Sequence, residues 1–349
     1  MPFKSLKDPS LVKSKCLIDG QWVDADSGQT SAVINPADGS EIARVAFASA
    51  AETQRAIDAA DQAWAVWREE TAEHRGHVLR KWYDLMLAHQ EDLAVILTAE
   101  QGKPLAEARA EIGYAASYVA WYAEEGKRVY GETVPSPWGD KKIIVTRESI
   151  GVCAAITPWN FPLAIFMGQV AAALAAGNTV LAKPAEQTTG IAALAVQLLW
   201  QAGVPKAALQ LLPGLGQTVG HALVQDARVQ GVLFTGSTET AKVLQLTLSK
   251  RLNRHGQVVP LIAETGGQNC MVVDSSALLE QVVVDAVASA FEAAGQRCSA
   301  LRILCVQDEV ADRALRMLQG AMAEMQMGNP ALLETDIGPV IDARARDGI

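Results

Sequence analysis

The chain has 349 residues, half of them apolar and a fifth charged, and a formal net charge of -9. That length suits roughly two domains with a sizeable core. The negative balance argues against nucleic acid or an anionic membrane as partner, though an anionic cofactor can still be held at a helix N-terminus.

Met1 to Lys15 alternates Lys, Asp and Ser with few apolar residues, and so is not a signal peptide. Cys16 to Val23 and Thr30 to Ile34 read as short strands, split by Gly20 and by Ser27-Gly28, and Asn35-Pro36 marks a turn. Helices follow. Ile57, Ala60, Trp64 and Trp67 recur at helical spacing, Val78 to Met86 carries a second apolar stripe, and a third helix is predicted over Leu105 to Glu125. Aromatic residues at such spacing read as core rather than as a ligand face. Val129 to Val134 and Lys142 to Thr146 then read as strands joined by a loop, with Lys141 and Lys142 on an exposed edge.

From Gly151 apolar strands alternate with helices. Strands are predicted at Val152 to Ile156, Thr179 to Ala182, Leu209 to Leu212 and Gly231 to Phe234. Helices are predicted at Leu163 to Ala176, Thr188 to Ala202, Gln217 to Val224 and Thr238 to Leu252. This pattern implies a parallel, doubly wound sheet, whose ligands sit beyond the carboxyl ends of the strands. After the apolar run Val258 to Ala263 the alternation restarts, with strands at Met271 to Val273 and Arg302 to Val306 and helices at Leu279 to Ala293 and Glu309 to Met325. The restart reads as a second α/β domain. No apolar run is long enough to span a bilayer, and a reducing cytoplasm is the expected setting.

The residues just after the strands are the candidates for chemistry. Gly214-Leu-Gly216-Gln-Thr-Val-Gly220 is one residue longer than the dinucleotide fingerprint, so a phosphate loop and an ordinary turn both suit it. Phe234-Thr-Gly-Ser-Thr-Glu239 suits either a pyrophosphate cradle or a helix cap. Lys183 follows the strand Thr179 to Ala182, where a solvated lysine is the alternative to a binding role, and Glu186 three residues on could accept hydrogen bonds from ribose hydroxyls, which favours NAD over a 2′-phosphorylated cofactor. Glu264 closes an apolar run, where lost solvation would raise its pKa toward that of a base; a solvated strand end is the alternative.

Among the five cysteines no CxxC spacing occurs, so they form no disulfide framework, and Cys153 and Cys270 read as core thiols. Cys298 lies in a polar turn beside Arg297, which could favour the thiolate; an inert core thiol is the alternative. None of the five histidines has a comparable context, which argues against a Cys–His protease and against a His-based metal site.

Pro158-Trp159-Asn160-Phe-Pro, Lys183-Pro-Ala-Glu186, Phe234-Thr-Gly236-Ser237, Glu264-Thr-Gly266-Gly and Gly295-Gln-Arg-Cys298 occur in that order, and together they resemble the aldehyde dehydrogenase superfamily. The resemblance covers nearly the whole chain. It implies that Cys298 attacks an aldehyde and that the Asn160 side chain and the Cys298 N–H hold the oxyanion. Hydride then passes to NAD, and Glu264 activates the water that hydrolyses the thioester. By the same resemblance Trp159, Lys183, Glu186, Phe234, Gly236, Ser237 and Gly266 belong to the cofactor site, Ser299 touches substrate, and no metal is needed. The implied domains are an NAD-binding domain at 16–126 and 150–257, a β arm for oligomerisation at 127–149, and an incomplete catalytic domain at 258–349. The partner is a small aldehyde, with a homo-oligomer expected of a full-length relative.

The finer resemblance divides. Cys16 to Pro162 is similar to bacterial succinate-semialdehyde dehydrogenases, as in Thr98-Ala-Glu-Gln-Gly-Lys-Pro-Leu-Ala-Glu107. From Leu163 the chain is similar to the glutamate-semialdehyde (pyrroline-5-carboxylate) dehydrogenase module of the bifunctional proline-utilisation protein, as in Ile262-Ala-Glu-Thr-Gly-Gly-Gln268. A natural mosaic, an engineered chimera and an assembly artefact share that signature. A carboxylate-bearing semialdehyde is the substrate this implies. Yet the succinate-semialdehyde enzymes use arginines where this chain has Gly168 and Glu292, and the helix holding Tyr114 lacks the acidic residue that receives the substrate amine in the glutamate-semialdehyde enzymes. The family's usual end also lies beyond Ile349, so an inactive dinucleotide-binding fragment stands as the alternative.

Overall fold

A computed structural model describes residues 6–348, so the first five residues of the Met1 to Lys15 segment lie outside the described residues. The chain opens with a hairpin of β1 (Cys16–Ile18) and β2 (Gln21–Val23), turned through Asp19 and Gly20, both at positive φ. A second hairpin pairs β3 (Thr30–Ile34) with β4 (Glu41–Ala46). Then come α1 (Ala50–Trp67), α2 (Ala72–Ala88), α3 (Gln90–Gln101) and α4 (Leu105–Glu125). β4 and α3 lie outside the predicted elements. Leu93–Gln101 is buried except for the half-buried Val95, polar Thr98, Glu100 and Gln101 included, so α3 shows no apolar stripe. The next hairpin, β5 (Glu132–Val134) with β6 (Ile143–Val145), is exposed along its whole length.

The alternating part of the chain forms β7 (Val152–Ile156), α5 (Ala164–Ala175), β8 (Thr179–Lys183), α6 (Thr189–Ala202), β9 (Leu209–Leu211), α7 (His221–Gln225), β10 (Val229–Thr235), α8 (Thr238–Leu248) and β11 (Leu261–Glu264). Gly177 and Gly203, at φ +82° and +107°, end α5 and α6 as left-handed caps. The strands join β1 and β2 in one seven-stranded sheet of order β11-β10-β7-β8-β9-β1-β2. Pairing is parallel from β11 to β9 and antiparallel at β1 and β2. The predicted doubly wound α/β fold is thus present. The sheet also runs through Leu261–Glu264, past residue 257.

Strand side chains alternate between two cores, as a sheet covered on both faces requires. Cys153, Ala155, Val180 and Ala182 face the cluster under α2 to α6, whereas Val152, Ala154, Ile156 and Leu181 face the cluster with α1, α7 and α8. Trp67 and Trp82 are fully buried in the first cluster, and their indole N–H groups donate to the carbonyls of Leu174 and Ala195 at 3.1 and 2.9 Å. Truncating either to Ala would cost roughly 3–5 kcal/mol.

The remainder forms β12 (Asn269–Val273), α9 (Leu279–Phe291), β13 (Leu301–Val306), α10 (Asp308–Glu324) and α11 (Ala343–Gly348). β12 and β13 pair in parallel, and Val273, Leu279 and Ala314 make a small core with α9 and α10. Only one face of this sheet is covered. Met271 and Val273 point to the helices, while Cys270 and Val272 alternate to the open face. Cys270 is therefore exposed, not the core thiol that its apolar surroundings suggest. Among the described residues no helix is long and apolar enough to cross a membrane.

Candidate active site

From β7 the chain winds outward through β8 and β9, then returns to lay β10 on the other side of β7. The strand order reverses between β7 and β10, and a crevice opens beyond their carboxyl ends. The segments leaving the strands there are Thr157–Pro162 after β7, Pro184–Glu186 after β8, Gly236-Ser237 after β10 and Thr265–Gly267 after β11. All the sequence-predicted site residues except Cys298 and Ser299 lie on or beside these strand ends.

Lys183 is the last residue of β8, and its side chain is 4% exposed. Its Nζ donates to the Pro184 carbonyl at 2.9 Å and to Glu186 Oε1 at 3.2 Å. Burial pushes the Lys183 pKa down, and the Glu186 carboxylate pushes back. Glu186 Oε1 also accepts the Gly216 N–H at 3.2 Å, which ties the end of β8 to the Gly214–Gly220 segment. That segment is a single π turn over Gly216–Gly220 leading into α7. Ser237 caps α8: its Oγ accepts the Thr240 N–H at 3.2 Å. A Cβ on Gly236 would come within 2.6 Å of the Phe234 ring, so the backbone lies against that ring only because residue 236 has no side chain. Trp159 is half-buried just after β7. Between α7 and α8 lies a cleft of about 420 Å³, lined by Gly216, Gln217, His221, Glu239 and Thr240 among others.

A second cleft, of about 580 Å³, brings together Cys298, Ser299, Glu264, Thr235, Gln169 and Tyr118. Asn160 reaches this region through the backbone. Its Nδ2 donates to the Gln296 carbonyl at 2.9 Å, and its Oδ1 accepts the Phe161 N–H at 3.1 Å. These contacts fix which way the amide faces and leave its second N–H uncommitted. The Asn269 side chain donates to the Cys298 carbonyl at 2.7 Å. A Cβ on Gly267 would lie 3.0 Å from that same oxygen. The Gly236 N–H donates to the Glu264 carbonyl at 3.1 Å, joining the ends of β10 and β11.

The backbone ahead of the thiol is unusual. Ala293, Ala294 and Gly295 have φ of +51°, +54° and +71° in succession. Left-handed alanines cost about 1–2 kcal/mol each, so neighbours must hold them. The Glu107 carboxylate accepts the Ala293 N–H at 2.9 and 3.1 Å, and Arg302 donates to the Gly295 carbonyl at 2.7 Å. Burial pushes the Glu107 carboxyl up, against the Ala293 amide.

Two expectations fail. Glu264 is exposed, because among the described residues no strand flanks β11 on the side away from β10, so the solvated strand end is found and not the lost solvation. Arg297 does not offer a free charge to Cys298: its guanidinium pairs with Glu292 at 2.6 Å and reaches the carbonyls of Ala288 and Ser289. Glu107, Gln169 and Asn269 were not singled out by sequence. Each sits in an ordinary helical or strand context, and only the fold brings Gln169 to the cleft of the thiol, Asn269 to the Cys298 carbonyl and Glu107 to the Ala293 N–H.

Residues 22–349 match the model of the aldehyde dehydrogenase family. The chain is 50% identical over 323 residues to the bifunctional protein PutA of Klebsiella aerogenes, covering 92% of this chain and 24% of that protein. It is 43% identical over 340 residues to the succinate-semialdehyde dehydrogenase [NADP(+)] GabD of Escherichia coli strain K12, covering 97% of this chain and 69% of that one. The chain therefore spans about a quarter of the former and about two thirds of the latter. Among solved structures, betaine aldehyde dehydrogenase (betB) from Staphylococcus aureus in complex with NAD+ superposes with a TM-score of 0.93 at 31% identity, over 99% of this chain and 67% of that one.

Proposed function

The chain belongs to the aldehyde dehydrogenase family, and from that membership we propose that it oxidises an aldehyde to the acid, with Cys298 as nucleophile and NAD as oxidant. The observation that carries the proposal is the meeting of the Cys298 thiol and the Glu264 carboxylate in one cleft beyond the carboxyl ends of the sheet.

Cys298 Sγ attacks the aldehyde carbon, and the carbonyl oxygen becomes an oxyanion. The uncommitted Asn160 N–H and the Cys298 backbone N–H receive that charge. NAD, when bound, supplies the two-electron acceptor that takes the hydride. Cys298 then carries the acyl group as a thioester. Glu264 removes a proton from water, the hydroxide displaces the thiolate, and the acid leaves. Splitting the oxidation in this way needs one nucleophile, one base and one oxyanion hole. The residues present fit the dinucleotide. Lys183 and Glu186 would hold the adenosine ribose, the N-terminus of α8, where Ser237 caps Thr240, would face the pyrophosphate, and the cleft between α7 and α8 would receive the adenine side.

The substrate in this reading is a carboxylate-bearing semialdehyde, of the glutamate or succinate kind. Two relatives named as succinate-semialdehyde and glutarate-semialdehyde dehydrogenases support a carboxylate-bearing semialdehyde as the class, and Ser299 lines the same cleft as the thiol. The exposure of Cys298 and Glu264 favours a second reading, a dinucleotide-binding chain without turnover. Following NADH formation with each semialdehyde separates the two. Turnover that disappears in Cys298→Ala supports the first, and NAD binding without turnover supports the second.

A further inference from the structure

Behind the Asn160 turn lies a buried ion pair that does not line the cleft. Lys103 follows α3 and Glu111 stands on α4; their side chains are each 1% exposed, and Nζ meets Oε2 at 2.5 Å. Lys103 Nζ also donates to the backbone carbonyl of Asn160 at 3.1 Å and lies 4.3 Å from the centre of the Phe161 ring. The other Glu111 oxygen accepts the N–H groups of Leu163 and Ala164 at 3.0 and 3.1 Å, where α5 begins. The pair therefore grips residue 160 on one side of the turn and residues 163 and 164 on the other.

Taking two charges out of water is costly, and an apolar pair of the same volume is often at least as stable. Filling space does not require these residues. What the pair adds is direction, because charge-assisted hydrogen bonds are short and strongly oriented. The contacts run without a gap from Lys103 Nζ to the Asn160 carbonyl, and from the Asn160 side chain to the carbonyl of Gln296, two residues before Cys298. We infer that Lys103 and Glu111 are positioning residues that aim the free N–H of Asn160 at the oxygen of the captured aldehyde. The inference rests on the thiol reading of the site given above. An oxyanion donor works by being in place before charge develops. A misplacement of about 1 Å is enough to cost roughly a hundredfold in rate.

The test is a double-mutant cycle. Lys103→Met and Glu111→Gln are made singly, each also in an Asn160→Ala background. The Lys103→Met/Glu111→Leu pair, made in both backgrounds, leaves no unpaired buried charge and serves if a single change prevents folding. Two quantities are read: kcat/KM for succinate semialdehyde, and the equilibrium affinity of Cys298 for the isotope-labelled aldehyde, followed by carbon NMR as the thiohemiacetal without cofactor. Each variant should lose about ten- to a hundredfold in both readouts while NAD affinity stays within about twofold. In the Asn160→Ala background the further loss should shrink to less than about threefold, since coupled residues do not add. Equal losses in the two backgrounds would show that the pair supports the fold and not Asn160. Adduct formation in wild type that is unchanged in the variants would also overturn the inference. A wild-type chain that forms no adduct at Cys298 would overturn the thiol reading, and this inference with it.

Discussion

Glu100, near the end of α3, has its carboxylate wholly buried between the N–H groups of Gly190 and Ile191, at 2.8 and 3.0 Å in the first turn of α6. Burial pushes the Glu100 carboxyl up to about 7, against the pull of those amides. In the unfolded chain the group titrates near the ordinary value of about 4.3. Below that value both states hold the proton. As pH rises from there towards about 7 the unfolded chain gives up its proton while the folded chain keeps it, so stability falls. At about 1.4 kcal/mol per pH unit, roughly 2–3 kcal/mol is lost between about pH 5 and about pH 8. Glu100→Gln removes the titration while keeping the shape and one acceptor oxygen. Urea unfolding of both proteins across that range should show wild type losing roughly 2–3 kcal/mol relative to the variant. Parallel stability curves would mean that Glu100 is ionised in the folded chain throughout, and that two amides and a helix N-terminus outweigh its lost hydration.

Cys298→Ala should abolish aldehyde oxidation and leave NAD binding intact; substantial turnover by that variant would remove the thiol from the mechanism. Glu264→Gln should leave a single burst of NADH and stop the steady state, because the base acts after the hydride has gone. Rapid mixing with an aldehyde reads both phases, and an unchanged steady rate would assign the base elsewhere. With the ribose placed beside Glu186 as proposed, that carboxylate should make NAD bind more tightly than NADP, by repulsion of a 2′-phosphate. A titration giving equal affinities would place that carboxylate elsewhere.

The parallel sheet was legible because its strands are apolar on both faces and two of the helices between them end at glycines, Gly177 and Gly203. α3 was not, since Asp92 and Glu100 are buried and their carboxylates accept backbone N–H groups that sequence spacing does not reveal. Cys270 misled because an apolar strand was assumed to be covered twice, whereas β12 is covered once. At the site the residues following strands could be read, because topology sends strand ends to one crevice. The solvation of Glu264 and the partner of Arg297 depend on what packs beside them, which a one-dimensional pattern does not carry. In the sequence Lys103 looks like an ordinary loop lysine before Pro104 and Glu111 like any charged residue of a helix; only the turn at Asn160 gives them their meaning.

The cleft around Cys298 draws its walls from two sources. The reacting groups arrive on strand ends and on the loop before β13, while Tyr114 and Tyr118 come from α4 and Gly168 from α5. Gly168 lies under the Tyr118 ring, where an added Cβ would make ordinary contact at 3.6 Å, and the two tyrosine hydroxyls meet at 2.5 Å. On the proposed reading, the reacting groups and the three helical positions thus belong to separate pieces of the fold, with Ser299 alone sharing the loop of the thiol. Exchanging the helical positions would then reshape the cleft while Cys298, Asn160 and Glu264 keep their places.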